Sequence, residues 1–496
     1  MCFSRVKSKS KTCDDTHDDF SITGRKIFNK KNLSIFFITL LLYTLMALIK
    51  SYNGDSKLWL RSDATGYYQI AYNLAKGHGF SRCGAEPYLP DTIRTPIYPL
   101  FISAFVLLFQ SPADVTFAVF AQCLLASFIL VILYNYLRIF SKKEDEVFSV
   151  IATILFGLSP IYISSILVLY SEVLFSLFYI TFLLFLHKAL QYGLPTQIAF
   201  TRREETEMYG LPIAVGFALG VLTLIRPITQ FLFVVPCSFF VLKKYYTRSL
   251  LIVLMFSLKI CPWLARNYYY YNKVALSSLG FRDLYHHSIR LLIKGDEINK
   301  YIKGDMPHQI SCIIQDKDGT LLFPPKNGHN ISLVGIGYFG FEHEEIYKRL
   351  SLSILKDKWK EFLLLVIKNP LGFITYRGPN ILTDIFVLDY KYYRNMPLGE
   401  KIFQFNFIVL MLGFVYEYLY RFLFYTFVFI GIIFSIKSKT IMKDMFLLSL
   451  LLSAYFIVLI SATIADNFDL SRLILPVNLT LTIFIPIAAK KILSPR

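Results

Sequence analysis

Charge is scarce where this chain is most apolar, so a charged residue at the edge of an apolar block is a candidate for chemistry. Two carboxylates stand out. Asp63 sits in Arg61-Ser62-Asp63-Ala64-Thr65-Gly66-Tyr67, and Glu172 ends a chargeless run that begins at Val147. Four arginines occupy similar edges: Arg94 in Arg94-Thr95-Pro96-Ile97-Tyr98-Pro99, Arg226 before Pro227, Arg266 before Asn267, and Arg472 before the last apolar block. A carboxylate can take a proton from a hydroxyl, and near a low-dielectric surface its pKa can rise toward a useful range. A guanidinium fork matches the oxygens of a phosphate. Each residue also has a plainer reading. Ser62 or Asp63 can cap a helix, Glu172 can favour a helix dipole, and arginines at helix ends snorkel to headgroups.

The elements that position these residues are membrane helices. The chain has 496 residues, of which 55% are hydrophobic and 17% aromatic, and the apolar residues fall in blocks that a water-soluble surface could not carry. Soluble enzyme, disordered, collagen-like and disulfide-scaffold classes are excluded. The net charge of +18 does not point to nucleic acid, because the basic residues gather at block ends as in the cytoplasmic flanks of membrane proteins. Apolar blocks lie at 33–50, 96–110, 115–138, 147–167, 170–188, 211–226, 228–243, 249–265, 419–436, 443–465 and 472–490, with weaker ones at 361–388 and 402–418. The expectation is an all-α integral membrane protein, a polytopic bundle of about ten to thirteen membrane helices.

Basic residues set the orientation. Arg25, Lys26, Lys30 and Lys31, then Lys142-Lys143, Arg202-Arg203, Lys243-Lys244, Lys437 to Lys443 and Lys490-Lys491 are all expected on the cytoplasmic side. The division that follows is a cytoplasmic tail (1–32), an N-terminal membrane bundle (33–265) with an outer loop at 51–95, a large outer loop (266–360) and C-terminal membrane helices (361–496). The tail is too long and too acidic for a cleaved signal, so block 33–50 reads as an uncleaved anchor. One parity problem follows: 96–138 holds two blocks but must cross an odd number of times. One block therefore lies along the membrane or spans half of it.

In the first outer loop, Asp63, Tyr67, Ile70, Ala71 and Leu74 recur at helical spacing. Gly77 and Gly79 end that helix, and Pro87, Pro90, Pro96 and Pro99 favour an extended continuation. The loop resembles the GT-C superfamily of polyprenyl-phosphate-dependent glycosyltransferases, in particular bacterial protein O-mannosyltransferases and the aminoarabinose–lipid A transferase. The resemblance rests on Asp63 with Tyr67, Ala71-Tyr72-Asn73-Leu74, Gly77-His78-Gly79-Phe80 and Arg94-Thr95-Pro96-Ile97-Tyr98-Pro99. It continues in Leu158-Ser159-Pro160 followed by Glu172, in Leu224-Ile225-Arg226-Pro227, in Pro262-Trp263-Leu264-Ala265-Arg266-Asn267, and in Arg472 with Pro476. It covers about 55–285 and 465–490. Leu473 replaces the usual Tyr, and a single acidic residue stands where two are often adjacent.

The resemblance implies a GT-C-type bundle with extracytoplasmic loops in a bacterial plasma membrane, its N-terminus cytoplasmic. The implied reaction moves a sugar from a polyprenyl phosphate to a hydroxyl of a cell-envelope glycan, lipid or protein, with inversion. Asp63 is the expected base. Glu172 positions the acceptor, orients an arginine or helps hold a divalent ion. Arg94, Arg226, Arg266 and Arg472 take the phosphate, and Tyr67 and Tyr98 face the sugar. The residues themselves show no metal-ligand spacing: the seven cysteines form no C-x-x-C pair, and His286-His287 are adjacent. No metal is expected, although some members of the superfamily use a divalent cation. The competing class is a transporter or flippase for a lipid-linked saccharide, which would place charge at mid-membrane and show internal repeats and broken helices.

Overall fold

The computed structural model describes residues 29–53, 59–60, 63–109, 113–139, 146–191, 202–293, 297, 300–301, 341–375, 405–438, 445–464 and 475–493. Among these the architecture is entirely helical, with one isolated bridge between Ser81 and Pro90. In chain order the helices are α1 (Lys30–Asn53), α2 (Asp63–Ala75), α3 (Ile97–Leu108), α4 (Ala113–Ile139), α5 (Glu146–Gly157), α6 (Pro160–Ile166), α7 (Glu172–Gln191) and α8 (Arg202–Ile225). There follow α9 (Val234–Leu242), α10 (Tyr246–Tyr271), α11 (Gly280–His287), α12 (Phe341–Thr375), α13 (Phe405–Lys437), α14 (Met445–Ile464), α15 (Leu475–Leu481) and α16 (Phe484–Leu493). Six of the described helices are long and apolar enough to cross a membrane, or seven if the bent pair α5–α6 counts as one span. Shorter apolar stretches add Ile97–Leu108, Pro227–Leu242, Phe446–Ser461 and Leu475–Ala489. This is an all-α multi-pass membrane protein.

The parity problem has a geometric answer. With 12 residues, α3 is about 18 Å long, well short of a hydrocarbon core of about 30 Å. Its two ends both meet the first ten residues of α4: the Tyr98 hydroxyl donates to Gln122 and Phe109 stacks on Phe117. The 27-residue α4 is the crossing helix, and α3 returns to the end it started from.

The block at 147–167 is broken, with α5 and α6 meeting at 58°. A break at this depth frees backbone carbonyls that apolar surroundings cannot satisfy. Each has a donor. Tyr43 donates to Gly157 O at 2.8 Å, and the Tyr416 hydroxyl donates to Leu158 O. Past the end of α6, Gln122 Nε2 donates to Ile166 O and Val168 O at 3.0 and 2.9 Å, and buried Lys50 donates to Leu167 O at 2.7 Å.

Two other blocks differ from expectation. The segments at 402–418 and 419–436 form one helix, α13, because no proline interrupts them and Glu417 pairs with Arg421 one turn on, at 2.6 Å. The weaker block at 361–388 overlaps a helix that starts earlier, α12 (Phe341–Thr375), which breaks at Lys358 (φ −118°, ψ 31°). The Lys358 ammonium is drawn to Glu297 at 2.6 Å and to Leu292 O at 3.0 Å. Elsewhere the packing is close: a Cβ on Gly216 would lie 2.4 Å from Ile252 O, so α8 and α10 touch backbone to backbone.

Trp59, between α1 and α2, and the connections from α6 to α7, α8 to α9 and α10 to α11 meet at one end of the bundle. Trp59, Leu169, Ile225, Thr95 and Ser278 lie there, joined by hydrogen bonds. The opposite end carries Lys31, Arg138 and Glu146 as an ion-paired group. At the first end α11 and the start of α12 build a small separate core from Tyr285, Ile289, Tyr301, Tyr347, Leu350 and Ile354.

Two predictions follow from this layout. In a variant lacking the seven native cysteines, Ala85→Cys and Lys243→Cys, both at exposed positions, are expected to react with a membrane-impermeant maleimide from opposite sides. Labelling of both from the same side would break the topology. The second concerns Glu344, whose carboxyl is pushed up to about 7, chiefly by burial against α11 and further by Glu345, while the Phe281 N–H and nearby lysines work the other way. A raised carboxyl pKa contributes stability that is present below the unfolded value near 4.5 and lost as pH rises toward 7. Glu344→Gln is therefore expected to raise the melting temperature at pH 8 and leave it unchanged at pH 4. Equal effects at both pH values would remove Glu344 as the titrating group.

Candidate functional site

The site begins with α2, whose first turn carries Asp63, Gly66 and Tyr67 on one face. Gly77 and Gly79 end the helix in left-handed conformations (φ +81° and +80°) that other residues rarely adopt. The stretch that follows, expected to be extended, folds back on itself instead. Asn73 on α2 donates to Ser81 O and Cys83 O at 2.7 and 2.8 Å, and the Asp91 N–H donates to Phe80 O at 2.8 Å. Prolines alone favour extension, but a buried carboxylate with local donors wins here.

That carboxylate is Asp91, which is fully buried. Its Oδ2 accepts from the backbone N–H groups of Ile93 and Arg94 at 3.0 and 2.8 Å, and its Oδ1 accepts from Arg82 Nε at 2.5 Å. The Asp91 carbonyl accepts from Arg266 Nη1 at 2.7 Å. The next residues are tied to three other elements. Thr92 shares a hydroxyl hydrogen bond with Ser278, Ser277 donates to Ile93 O, and Thr95 donates to Ile225 O at the end of α8.

Held in this way, Arg94 reaches back to α2. Its Nη2 donates to Asp63 Oδ1 at 2.6 Å, with the two side chains 17% and 29% exposed. Its guanidinium lies over the Tyr67 ring at 4.6 Å, and Tyr67 packs edge-on against Tyr98 at 4.9 Å. Burial works against the charge on Arg94, but the Asp63 carboxylate outweighs it and carries the Arg94 pKa above its ordinary value. A guanidinium at 2.6 Å is thus the counter-charge of the Asp63 carboxylate.

A second pair lies close by. Glu172 opens α7, is almost completely buried, and meets Arg226 Nη2 at 2.7 Å, while Arg226 Nε donates to Ser171 Oγ at 2.8 Å. Both charges act on the Tyr98 hydroxyl, which lies between the two pairs. Of the residues singled out in the sequence, Asp63, Arg94, Tyr67 and Tyr98 thus form one group, and Glu172 and Arg226 an adjacent one. Tyr67 and Tyr98 are both buried, so in this arrangement they carry Arg94 and offer no open ring face to a sugar. Arg266 is at the same end but is directed at protein groups: Asp91 O, Asn267 Oδ1 at 2.7 Å, and the rings of Trp263, Phe80 and Tyr270. Arg472 lies outside the described residues. Among the described residues, no three His, Cys, Asp or Glu side chains come together in a group that could hold a metal ion.

Sequence reading passed over Asp91, Arg82 and Gln122. Asp91 had a local signal, since an Asp whose oxygens accept the N–H groups two and three residues on is a recurrent turn device. Arg82 and Gln122 had none, because their partners are distant or in the backbone. In chemical terms the site offers an ionised carboxylate beside a fixed guanidinium, with a second carboxylate–guanidinium pair one ring away. No protein-family model, no characterised protein and no solved structure matches the chain.

These contacts generate a prediction about Arg266. Arg266→Lys removes the planar guanidinium whose Nη1 donates to both Asp91 O and Asn267 Oδ1. It is expected to lower the melting temperature by several degrees while leaving the affinity for a phosphate-bearing lipid within about twofold, as suits loss of roughly 1–2 kcal/mol of structural hydrogen bonding. A large affinity loss without destabilisation would return Arg266 to the ligand.

Proposed function

We propose that the chain is a membrane glycosyltransferase of the GT-C type, moving a sugar from a polyprenyl phosphate to an acceptor hydroxyl at the extracytoplasmic face. The observation that carries this reading is the Asp63–Arg94 ion pair at 2.6 Å, set at a helix start at the loop-bearing end of an apolar bundle. A proton acceptor and a phosphate-binding cation are thereby placed side by side, as the reaction demands. Asp63 takes the proton of the acceptor hydroxyl, whose oxygen attacks the anomeric carbon. The bond from that carbon to the phosphate oxygen breaks, and the polyprenyl phosphate leaves with the electron pair, stabilised by Arg94. One displacement inverts the sugar carbon. Glu172 holds Arg226 as a second cation near the same end. The basic residues at the opposite end support a cytoplasmic N-terminus, and the resemblance of the first loop supports a bacterial plasma membrane.

A second reading, a flippase for a lipid-linked saccharide, is favoured by one observation: the 58° break between α5 and α6, since transporters build sites on discontinuous helices. The candidate charges argue against it. Asp63, Arg94, Glu172 and Arg226 all lie at helix ends or in the connecting loop.

The test compares native protein with Asp63→Asn, each given radiolabelled polyprenyl-phosphate sugars and an envelope extract. Transfer is expected from native protein and reduced about a hundredfold or more in the variant. Transfer that survives Asp63→Asn but not Glu172→Gln would move the base to Glu172. Donor lipid crossing the bilayer without any transfer would establish the flippase instead.

A further inference from the structure

Arg82 has no part in the reaction as written above, yet it is one of the most confined charges at this end of the molecule. Its side chain is only 7% exposed. Nε is spent on Asp91 Oδ1, while Nη2 is buried and has no hydrogen-bond partner. Arg94 presents a matching defect: Nη2 is spent on Asp63, while Nε is buried without a partner. Buried guanidinium N–H groups left unsatisfied are costly, more so because the group is charged. Two of them on neighbouring arginines mark a place made for an acceptor.

The two side chains flank Gly66, one turn after Asp63 on α2. A Cβ at Gly66 would stand 3.5 Å from Arg82 Cδ, 3.9 Å from Arg82 Nη1 and 3.9 Å from Arg94 Nε. Arg82 Nη1, which shares its guanidinium with the unpartnered Nη2, and Arg94 Nε are therefore each 3.9 Å from one point, over a residue that puts no side chain between them. The charge balance also favours an anion. Arg82, Arg94 and Arg266 face Asp63 and Asp91, three cations against two anions, and Asp91 is further offset by two backbone N–H groups.

We propose that Arg82 and Arg94 form a two-guanidinium cradle over Gly66 for a phosphate group, with Arg82, anchored by Asp91, as its fixed half. The chemistry recognised is a tetrahedral phosphate monoester or diester that accepts hydrogen bonds from both sides. Its identification with the phosphate of a polyprenyl donor rests on the reading proposed above; the cradle itself rests on the unpartnered donors. Gly66 is specificity-determining, because any side chain larger than alanine would enter the gap between the arginines.

The experiment measures binding of two probes, a short-chain polyprenyl monophosphate and inorganic phosphate, to full-length protein in nanodiscs. The read-outs are affinity and ligand-induced thermal shift. Arg82→Lys keeps a charge beside Asp91 but loses the second donor arm. Gly66→Val leaves the Arg82–Asp91 pair intact and fills the gap, so it tests the cradle even if the first variant folds poorly. Each is expected to weaken lipid-phosphate binding about tenfold or more, by loss of a charge-assisted hydrogen bond. The unliganded melting temperature of Gly66→Val should stay close to native. Native affinity in both variants, with binding lost instead in Arg226→Gln, would overturn the cradle and leave the donor reading standing. Binding of inorganic phosphate that depends on Arg82, without any binding of the lipid, would support the cradle and sink the polyprenyl donor. No binding of either probe by native protein would overturn both.

Discussion

A helix cannot break inside a membrane unless its freed carbonyls find donors, and here those donors lead directly to the candidate site. Where α6 ends, the carbonyls of Ile166 and Val168 are taken by Gln122, and that of Leu167 by Lys50. Gln122 is thereby fixed, and its free oxygen accepts the Tyr98 hydroxyl at 2.7 Å. Tyr98 supports Tyr67, and Tyr67 lies beneath the Arg94 guanidinium. The position of Arg94, and with it the partner of Asp63, is thus set from below by the same contacts that stabilise the break. Burial of these rings within one continuous core makes the support stiff, since close-packed interiors resist small displacements.

Asp91 supplies the constraint from above. A buried carboxylate with one charged donor and two backbone donors costs little only while all three are present, and it fails badly if one is removed. Its turn sets the direction of residues 91–95, and the hydroxyls of Thr92, Thr95 and Ser277 then clamp that segment to the large loop and to the end of α8. Arg266, on a helix far away in sequence, closes the arrangement by holding the Asp91 carbonyl. The loop is ordered by polar contacts among elements that arrive separately from the bilayer. This explains why motifs spread over the chain meet at one place.

How much of this was legible in the sequence depended on the range of the interaction. Helices announced themselves through apolar runs and local charge, so α1, α4, α7 and α10 fall where the blocks predict. The end of α2 was readable from Gly77 and Gly79, because a left-handed turn needs that residue type locally. The break at Lys358 was not readable: it answers to Glu297 and Leu292, far off in sequence. The continuity of α13 over 405–437 was missed because a Glu417–Arg421 pair looks like an interruption in a hydropathy profile, yet within one helix it neutralises itself. In the site, Asp63, Arg94, Glu172 and Arg226 could be singled out, since charge at an apolar edge is rare. Their pairing could not, nor could the burial of Tyr98, which depends on α4 and α6 together.

Arg94 has a limited set of donors, and their distribution bears on how a base and a phosphate-binding group can share it. In the structure Nη2 serves Asp63, and the backbone N–H serves Asp91. Nε serves nothing. If a phosphate had to displace Asp63 from Arg94, binding would leave a half-buried carboxylate short of its counter-charge, an exchange that offsets part of what the new bond contributes. A phosphate that takes Nε instead leaves the Asp63 contact in place, and the neighbouring donors of Arg82 share its charge. On the proposed reading, donor and base then engage different edges of one guanidinium. Asp63 keeps its orientation toward the side from which an acceptor must approach, and the leaving phosphate is held on the other. A lysine at position 94 has a single ammonium in place of these separated edges, so it would force a choice between the two partners. On the same proposed reading, the geometry of the fork, more than its charge, would suit this position to a displacement in which a proton and a phosphate leave in opposite directions.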